Sequence, residues 1–567
     1  FNKKELSGTA RLSIKNHDGS NKLILDTNGL DIVSVTDRDG ETPLPFHLGD
    51  SLKYLGRPLE ITITPKTTEV VVYYHTRPGA LALQWLEPDQ TTSKQFPFLF
   101  TQSQAILARS WVPCQDTPGN KITYSATIKV APPLRAVMSA TPVQSDVENG
   151  VYRFRMDKPI PPYLIALAVG ELEYRPLGPR SGVYAEPALI AKAAAEFRDT
   201  EKMIHIAEKL WGPYRWDRYD ILVLPPSFPF GGMENARLTF VTPTVLAGDR
   251  SLVALIAHEL SHSWSGNLVT CKVWNDFWLN EGFTTYLENR IMEELYGKDF
   301  AMMLSVLGYH DLLEEMEEMG TNSPDTRLKL SLEGRDPDEG LTGVPYEKGR
   351  LFLTLLENAF GRQKWDAFLK SYFDKYAFQA ITTEDFLNYL NQQLIKGNQE
   401  LQSLLMINQW VYESGLPENC PIPESREFAR VEREVEKWLN GMPAIKINSE
   451  NWTALHWLHF LRSLPPTLSQ EQMKELDDTF HFTQSQNSEI LFVWLKLSIH
   501  NHYSAADSTL QNFLMTVGRR KFVLPLYKEM IKTEKGKQRA REIYLKARSH
   551  YHPVTYLSID PLLDVSG

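Results

Sequence analysis

The segment best equipped for chemistry is His-Glu-Leu-Ser-His at 258–262, followed after eighteen intervening residues by Glu281. Histidines four apart on a helix lie on one face about one turn from each other, so both imidazoles can reach one metal ion. Two imidazoles and a carboxylate leave a fourth position of zinc open for water, as catalytic sites do. His258, His262 and Glu281 are therefore predicted to bind one Zn²⁺ per chain, with Glu259 as the general base.

The surrounding sequence predicts a buried helix for this motif. Asp249 or Ser251 can cap the helix, residues 252–257 are apolar, and the pair at 266–267, Gly-Asn, can end it.

A second predicted helix carries Glu281 and runs from about Phe277 to Tyr296. Glu288 lies two turns after Glu281 on the same side, where it can accept a hydrogen bond from a ligand histidine. A solvent-exposed Glu288 is the alternative.

Several other segments, taken with the zinc motif, resemble the gluzincin zinc aminopeptidases of peptidase family M1, in the branch of leukotriene-A4 hydrolase and aminopeptidase B. The resemblance extends over nearly the whole chain. The segments are Leu-Gln-Trp-Leu at 83–86, Pro-Cys-Gln-Asp-Thr-Pro at 113–118, Pro-Pro-Ser-Phe-Pro-Phe-Gly-Gly-Met-Glu-Asn at 225–235, Gly-Asn-Leu-Val-Thr at 266–270 and Val-Pro-Tyr-Glu-Lys-Gly at 344–349.

The resemblance implies roles for the residues around the metal. Gly231, Gly232 and Met233 correspond to an edge strand that aligns the peptide, and two glycines allow a substrate backbone to approach closely. Glu234 corresponds to the carboxylate that holds the substrate's free ammonium group. Tyr346 corresponds to the catalytic tyrosine whose hydroxyl donates to the oxyanion.

The resemblance also implies a pocket and a carboxylate site. Gln104 and Asp338 match residues near the first side chain of the substrate, although Asp336-Pro337-Asp338 is also typical of a plain turn. Arg519 and Lys521 match cations that bind the far carboxylate of di- and tripeptides, although basic runs are usually solvated.

Two positions depart from the lipid-epoxide hydrolase of the family. Leu341 and Phe230 stand where that enzyme has tyrosines, so the presumed pocket wall loses polar groups. The departures leave the peptidase residues intact and count against efficient leukotriene epoxide hydrolysis.

The expected architecture is a multidomain α+β fold. Short β-rich runs fill residues 1–170, which the resemblance makes a saddle-like all-β domain. Helical patterns around the zinc motif predict a thermolysin-like, mostly helical catalytic domain at 171–413. A Pro-rich linker at 414–425 precedes helical patterns at 426–567, for which the resemblance implies an α-solenoid.

Composition excludes several classes of protein. The chain has 567 residues, 42% of them hydrophobic and 23% charged, which is ordinary for a globular protein. Its net charge of −10 argues against nucleic acid and anionic membranes as partners. The longest apolar runs, such as 164–169, are too short to span a bilayer.

Cysteine usage and the first residue bear on location. Three cysteines, an odd number, indicate no disulfide framework and favour the cytoplasm. The chain begins with Phe1 and lacks the first strand or so of the family, so an earlier signal peptide stays open.

The leading hypothesis is a monomeric zinc aminopeptidase that acts on short peptides with a free terminal amine. Three alternatives stay open: a lipid-epoxide hydrolase, an endopeptidase, and a non-catalytic zinc-stabilised interaction protein on a peptidase scaffold.

Overall fold

The computed structural model describes residues 1–565, without the side chain of Gln144. The predicted order of domains is confirmed: a β domain comes first, a central domain combines a small sheet with helices, and a helical domain follows. None of the described sheets closes into a barrel.

The N-terminal domain consists of antiparallel sheets with the strand orders β1-β6-β3, β2-β5-β4, β10-β13-β8-β7 and β11-β12-β9. Alternating half-buried and exposed residues in β1 and β9 match the period of a strand with one covered face, whereas β7 and β8 are buried throughout. The strands are β1 Ser7–Ser13, β2 Lys22–Thr27, β3 Asp31–Asp37, β4 Phe46–Leu48, β5 Arg57–Thr62, β6 Glu69–His75, β7 Leu83–Leu86, β8 Phe98–Thr101, β9 Ile122–Lys129, β10 Arg135–Met138, β11 Thr141–Asp146, β12 Val151–Ile160 and β13 Leu167–Gly170.

The central domain holds a mixed sheet in the order β14-β15-β16-β18-β17, in which β17 is an edge strand. A short parallel pair, β19 with β20, lies apart from it. The strands are β14 Glu173–Pro176, β15 Ser181–Ala185, β16 Tyr219–Val223, β17 Gly232–Met233, β18 Leu238–Val241, β19 Val269–Cys271 and β20 Gln379–Ile381. The helices are α1 Ile190–Glu196, α2 Thr200–Trp211, α3 Ala254–Ser261, α4 Trp278–Tyr296, α5 Lys298–Met319, α6 Val344–Phe360, α7 Arg362–Lys375, α8 Thr383–Leu390, α9 Gln399–Leu405 and α10 Ile407–Tyr412.

The zinc-motif helix, α3, is shorter than predicted. The Asp249 carboxylate accepts from the Ser251 amide, 2.9 Å away, and so stabilises a turn before the helix instead of capping it. The helix begins at Ala254 with no side-chain cap and ends at Ser261, so His262 is its C-cap residue. Gly266, at φ +106°, belongs to the turn that follows.

Helices α4 and α6 cross at two glycines. A Cβ atom on Gly282 of α4 would lie 2.7 Å from the Gly349 Cα atom, and one on Gly349 of α6 would lie 2.6 Å from the Gly282 Cα atom. Only glycine therefore fits at either position. The contact brings the first turn of α6, with Tyr346, against the first turns of α4, with Glu281, and residues 278–287 of α4 are all buried.

Helices account for most of the C-terminal domain. They are α11 Arg426–Leu439, α12 Ala454–Arg462, α13 Gln470–Phe480, α14 Ser488–His500, α15 Asp507–Thr516, α16 Arg520–Met530, α17 Glu534–Ala547 and α18 Pro553–Ile559. Of the helices within residues 1–565, none is long and apolar enough to cross a membrane.

The start of the predicted linker is attached to the catalytic domain. The buried Lys348 ammonium group donates to the carbonyl oxygens of Thr326 (2.9 Å) and Glu413 (3.0 Å). The Gly415 amide donates to the Thr326 hydroxyl at 2.9 Å.

The helical domain also reaches the loops around the zinc motif. The amides of Gly518 and Arg520 donate to the carbonyl oxygens of Pro226 (2.8 Å) and Pro229 (2.9 Å), just before β17. The Asn487 side chain, which caps α14, donates to the Ser251 hydroxyl at 3.0 Å. Two loops beside the motif are thus fixed by the C-terminal domain.

We predict that Gly282→Ala and Gly349→Ala each destabilise the protein by about 1–3 kcal/mol, because a methyl group has no room between the two backbones. Both substitutions should also lower activity, because they displace Glu281 relative to Tyr346. Urea unfolding measures the loss of stability. Gly79→Ala is the control, since no atom lies within 4 Å of its added Cβ; equal unfolding midpoints in all three variants would contradict the prediction.

Candidate active site

The predicted ligand side chains converge in the structure. The Nε2 atoms of His258 and His262 each lie 3.4 Å from Oε2 of Glu281. This Oε2 atom is buried and has no hydrogen-bond partner. A buried carboxylate oxygen without a partner is costly, whereas a cation between it and two imidazole nitrogens would satisfy all three groups. The residues present therefore fit a zinc ion.

The other ring nitrogens of the two histidines are held in place. Nδ1 of His258 lies 3.0 Å from Oε2 of Glu288, and Nδ1 of His262 lies 3.0 Å from the Ser265 carbonyl oxygen and 3.2 Å from the Thr284 hydroxyl. Carboxylate and carbonyl oxygens only accept, so both Nδ1 atoms donate and leave the Nε2 lone pairs free for metal. The sequence indicated the contact of Glu288 with a ligand histidine but not those of Ser265 and Thr284. Ser265 contributes its main-chain carbonyl oxygen, which no residue type signals.

Glu259 is buried beside the edge strand. Its side chain comes so close to Gly232 that a Cβ atom there would lie 2.2 Å from Oε1, while its Oε2 atom has no hydrogen-bond partner. Burial, opposed by the neighbouring histidines and reinforced by Glu234 and Glu281, raises the pKa of Glu259 to about 8. A carboxyl group with a pKa near neutrality suits proton transfer.

Glu234 follows β17 directly and is 4% exposed. Its Oε1 atom is buried without a partner, and its main-chain carbonyl oxygen accepts from the Asn267 side chain at 2.8 Å. Ligand atoms of Glu234, Glu259 and His262 lie within 4.8 Å of one another. Burial raises the pKa of Glu234, an effect opposed by His262.

Burial and the two neighbouring histidines have opposite effects on the pKa of the Glu281 carboxyl group. Burial alone would raise the pKa of Glu281, but His262 and His258 outweigh it and lower the pKa to about 2. Glu281 is therefore ionised at neutral pH, as a metal ligand must be.

Tyr346 lies in the first turn of α6. Its ring stacks on the His258 ring, with 5.9 Å between centroids and 16° between planes, and its edge contacts Phe277. Burial and the nearby carboxylates raise its pKa well above the ordinary value, so the phenol keeps its proton and can donate it in a hydrogen bond.

Gln104 and Asp338 are brought close together, as expected for one pocket. The amide of Ala105 donates to the Asp338 carboxylate at 3.2 Å, and the Gln104 Nε2 atom is buried without a partner. The turn is also present, since Asp336 accepts from the Asp338 amide. Burial, reinforced by Asp336, raises the pKa of Asp338 to about 6.

Arg519 and Lys521 occupy different surroundings. A Cβ atom on Gly231 would lie 2.9 Å from Nη2 of Arg519, whose side chain is 11% exposed. The Lys521 side chain is 49% exposed, and its Nζ atom lies 3.0 and 2.9 Å from the two oxygens of Glu489. Arg519 thus borders Gly231, whereas Lys521 lies behind Glu489, a residue that no sequence pattern identified.

Comparison with known proteins assigns the family. The chain is 38% identical to leukotriene A-4 hydrolase of Xenopus laevis over 100% of this chain and 96% of that protein. The chain belongs to peptidase family M1. Models of the M1 N-terminal domain, the M1 peptidase domain and the leukotriene A4 hydrolase C-terminal domain match residues 1–164, 195–410 and 452–563.

Two further comparisons support the assignment to family M1. The M1 peptidase is 37% identical to aminopeptidase B of Mus musculus, over 96% of this chain and 89% of that protein. The structure of yeast LTA4 hydrolase in complex with bestatin superposes with a TM-score of 0.92 at 34% identity, covering 99% of this chain and 93% of that one. As a member of family M1, the protein is a zinc-dependent hydrolase.

We predict that Gly232→Ala lowers kcat/KM at least about 100-fold, because the methyl group must displace the Glu259 carboxylate by an ångström or more. Gly231→Ala should lose much less, since its added methyl meets the end of the Arg519 side chain. Steady-state kinetics with an aminoacyl amide compare the two. Equal losses of kcat/KM in the two variants, or no loss in either, would show that Glu259 does not need the space beside Gly232.

Proposed function

We propose that this M1 peptidase is an aminopeptidase that releases the first residue of short peptides. The observation that carries the proposal is the Glu234 carboxylate, buried without a partner at the end of β17 and beside the ligand cluster. A fixed anion there selects a substrate ammonium group. Mouse aminopeptidase B and leucine aminopeptidase 2 of Yarrowia lipolytica, 36% identical over 97% of this chain, support this choice of substrate.

His258, His262 and Glu281 would hold the zinc ion, with Glu288 and Ser265 orienting the two imidazoles. When bound, zinc lowers the pKa of water and polarises the scissile carbonyl group.

Glu259 transfers the proton. Its free Oε2 atom accepts a proton from the attacking water and later returns it to the leaving amine. Burial raises the pKa of Glu259 to about 8, which makes the carboxylate a stronger base for the first of these two transfers.

Tyr346 stabilises the oxyanion. Its hydroxyl group remains protonated, and the ring is held between His258 and Phe277, so the donor is positioned before the reaction begins. Such preorganised donors contribute most where water is excluded.

The edge strand aligns the peptide. β17 pairs with β18 on one side only, and Gly231 and Gly232 present little bulk, so an extended substrate can add to the sheet next to Met233. Glu234 then receives the ammonium group at the end of the strand.

The remaining residues define both ends of the substrate. Gln104 and Asp338 line the pocket for the first side chain, and the buried acid favours basic or small residues there. Arg519, backed by Lys521, receives the far carboxylate of a di- or tripeptide.

We further infer a monomer in a reducing compartment such as the cytoplasm. Cys114, Cys271 and Cys420 are free thiols, two of them buried, which supports the reducing compartment.

A second candidate function is hydrolysis of a lipid epoxide, favoured by the match to the leukotriene A4 hydrolase C-terminal domain. Phe230 and Leu341, both partly buried and apolar, count against it as the main activity. Chromatography of products from leukotriene A4 would separate the two functions.

We predict that Glu259→Gln retains zinc but lowers kcat by about 10²–10⁴-fold, the usual contribution of a positioned general base. The isosteric amide keeps the packing and cannot accept the proton. Metal analysis and kcat are measured on the same sample. Near wild-type turnover in the zinc-loaded variant would refute this role.

The function itself is tested with a tripeptide amide and its N-acetylated form. We expect the wild type to cleave only the free amine, and Glu234→Gln to reduce kcat/KM for it by about 10- to 100-fold, as expected for loss of a charge-assisted hydrogen bond. Comparable cleavage of the acetylated peptide would instead indicate an endopeptidase.

A further inference from the structure

Glu489 links the two cations of the segment 519–521. Its Oε1 atom lies 3.3 Å from Nη1 of Arg519, and both its oxygens accept from Nζ of Lys521. The Glu489 side chain is 13% exposed, similar to the 11% of Arg519, whereas that of Lys521 is 49% exposed. The three side chains form a chain of contacts that leads from solvent to Gly231.

Arg519 is held on several sides but keeps one edge of its guanidinium group unpaired. Nη1 bonds to Glu489 and approaches the Thr244 hydroxyl at 3.4 Å, and the group lies 4.8 Å above the centre of the Phe522 ring. Nε is buried without a partner, and no hydrogen bond within residues 1–565 uses Nη2, which borders Gly231. The Nε and Nη2 donors of arginine form a fork that matches a carboxylate.

We propose that Glu489 is a positioning residue for the carboxylate end of the substrate: it holds Arg519, which alone contacts that carboxylate, and Lys521 acts through Glu489. This inference rests on the proposed function, in which a short peptide lies along β17 with its far carboxylate at Arg519.

Charge supports this division of roles. Two cations and one carboxylate give a net charge of +1, which matches the single negative charge of a peptide terminus. Lys521 binds both oxygens of Glu489, so it neutralises and immobilises that carboxylate rather than competing with Arg519 for the substrate. Without Glu489, Arg519 would lose this ion pair and would face the like charge of Lys521.

The position of Glu489 is itself tied to the catalytic domain. It lies in the first turn of α14, whose cap, Asn487, accepts from the Glu489 amide and donates to Ser251 ahead of the zinc-motif helix. A carboxylate also suits a helix N-terminus. The start of α14, with Glu489, is therefore tied to the segment ahead of the zinc-motif helix.

The test compares trialanine with a free carboxylate and trialanine amide, both with free amines. We expect the wild type to favour the free acid in kcat/KM and Arg519→Gln to abolish that preference. Glu489→Gln should reduce the preference at least about tenfold through KM, with kcat/KM for the amide within about twofold of wild type. Lys521→Gln should reduce it less than Glu489→Gln does.

Glu529→Gln is the matched control, because Glu529 is also largely buried and binds Lys532 and His500, neither of which belongs to the site. It should leave the preference unchanged. Thermal unfolding checks that each variant folds, and Glu489→Asp, which keeps the charge, should restore part of the preference.

Three outcomes would overturn the inference. Equal losses on acid and amide in Glu489→Gln would show a merely structural role, and an unchanged preference would show that Arg519 does not need Glu489. A loss in Lys521→Gln as large as in Arg519→Gln would place Lys521 on the substrate. If the wild type itself shows no preference, the carboxylate site fails, while the acetylation experiment still decides the aminopeptidase function.

Discussion

The arrangement of the site depends on the backbone contact between α4 and α6. With glycine at 282 and 349, the helices approach until the Cα atom of each occupies the space of the other's missing side chain. Glu281 precedes one glycine and Tyr346 lies one turn before the other, so the contact sets their separation. Because close-packed helices do not deform continuously, the contact fixes the Glu281 carboxylate beside the Tyr346 phenol.

The second characteristic of the site is a set of buried carboxyl oxygens without internal partners. Glu234, Glu259 and Glu281 each have a buried carboxylate oxygen that accepts no hydrogen bond. A buried carboxylate oxygen without a partner is costly, and three of them lie together at this site. In the function we propose, cations would supply the missing partners: zinc for Glu281, and the substrate ammonium group for Glu234. Glu259, left without a cation, holds a raised pKa and can carry the proton.

The sequence predicted the parts of this site that depend on residue type and spacing. The interval of four between His258 and His262 and the position of Glu281 were sufficient to predict that these side chains converge, and the contact of Glu288 with His258 followed from helical periodicity. The start of α3 was wrong because the Asp249 side chain stabilises a local turn instead. Ser265 acts through its main chain, and Glu489 reaches Arg519 from a different helix of the same domain, thirty residues earlier, so neither leaves a local pattern.

The central claim is that His258, His262 and Glu281 form the metal site and that Glu234 and Glu259 remain free for the substrate. Ligand atoms of Glu234, Glu259 and His262 also cluster within 4.8 Å, so a competing site exists. Anomalous diffraction at the zinc absorption edge, on crystals of the enzyme with one equivalent of zinc, distinguishes them directly. We expect a single ion bound by Nε2 of both histidines and by Glu281; an ion bound instead by Glu234 and Glu259 would contradict this assignment.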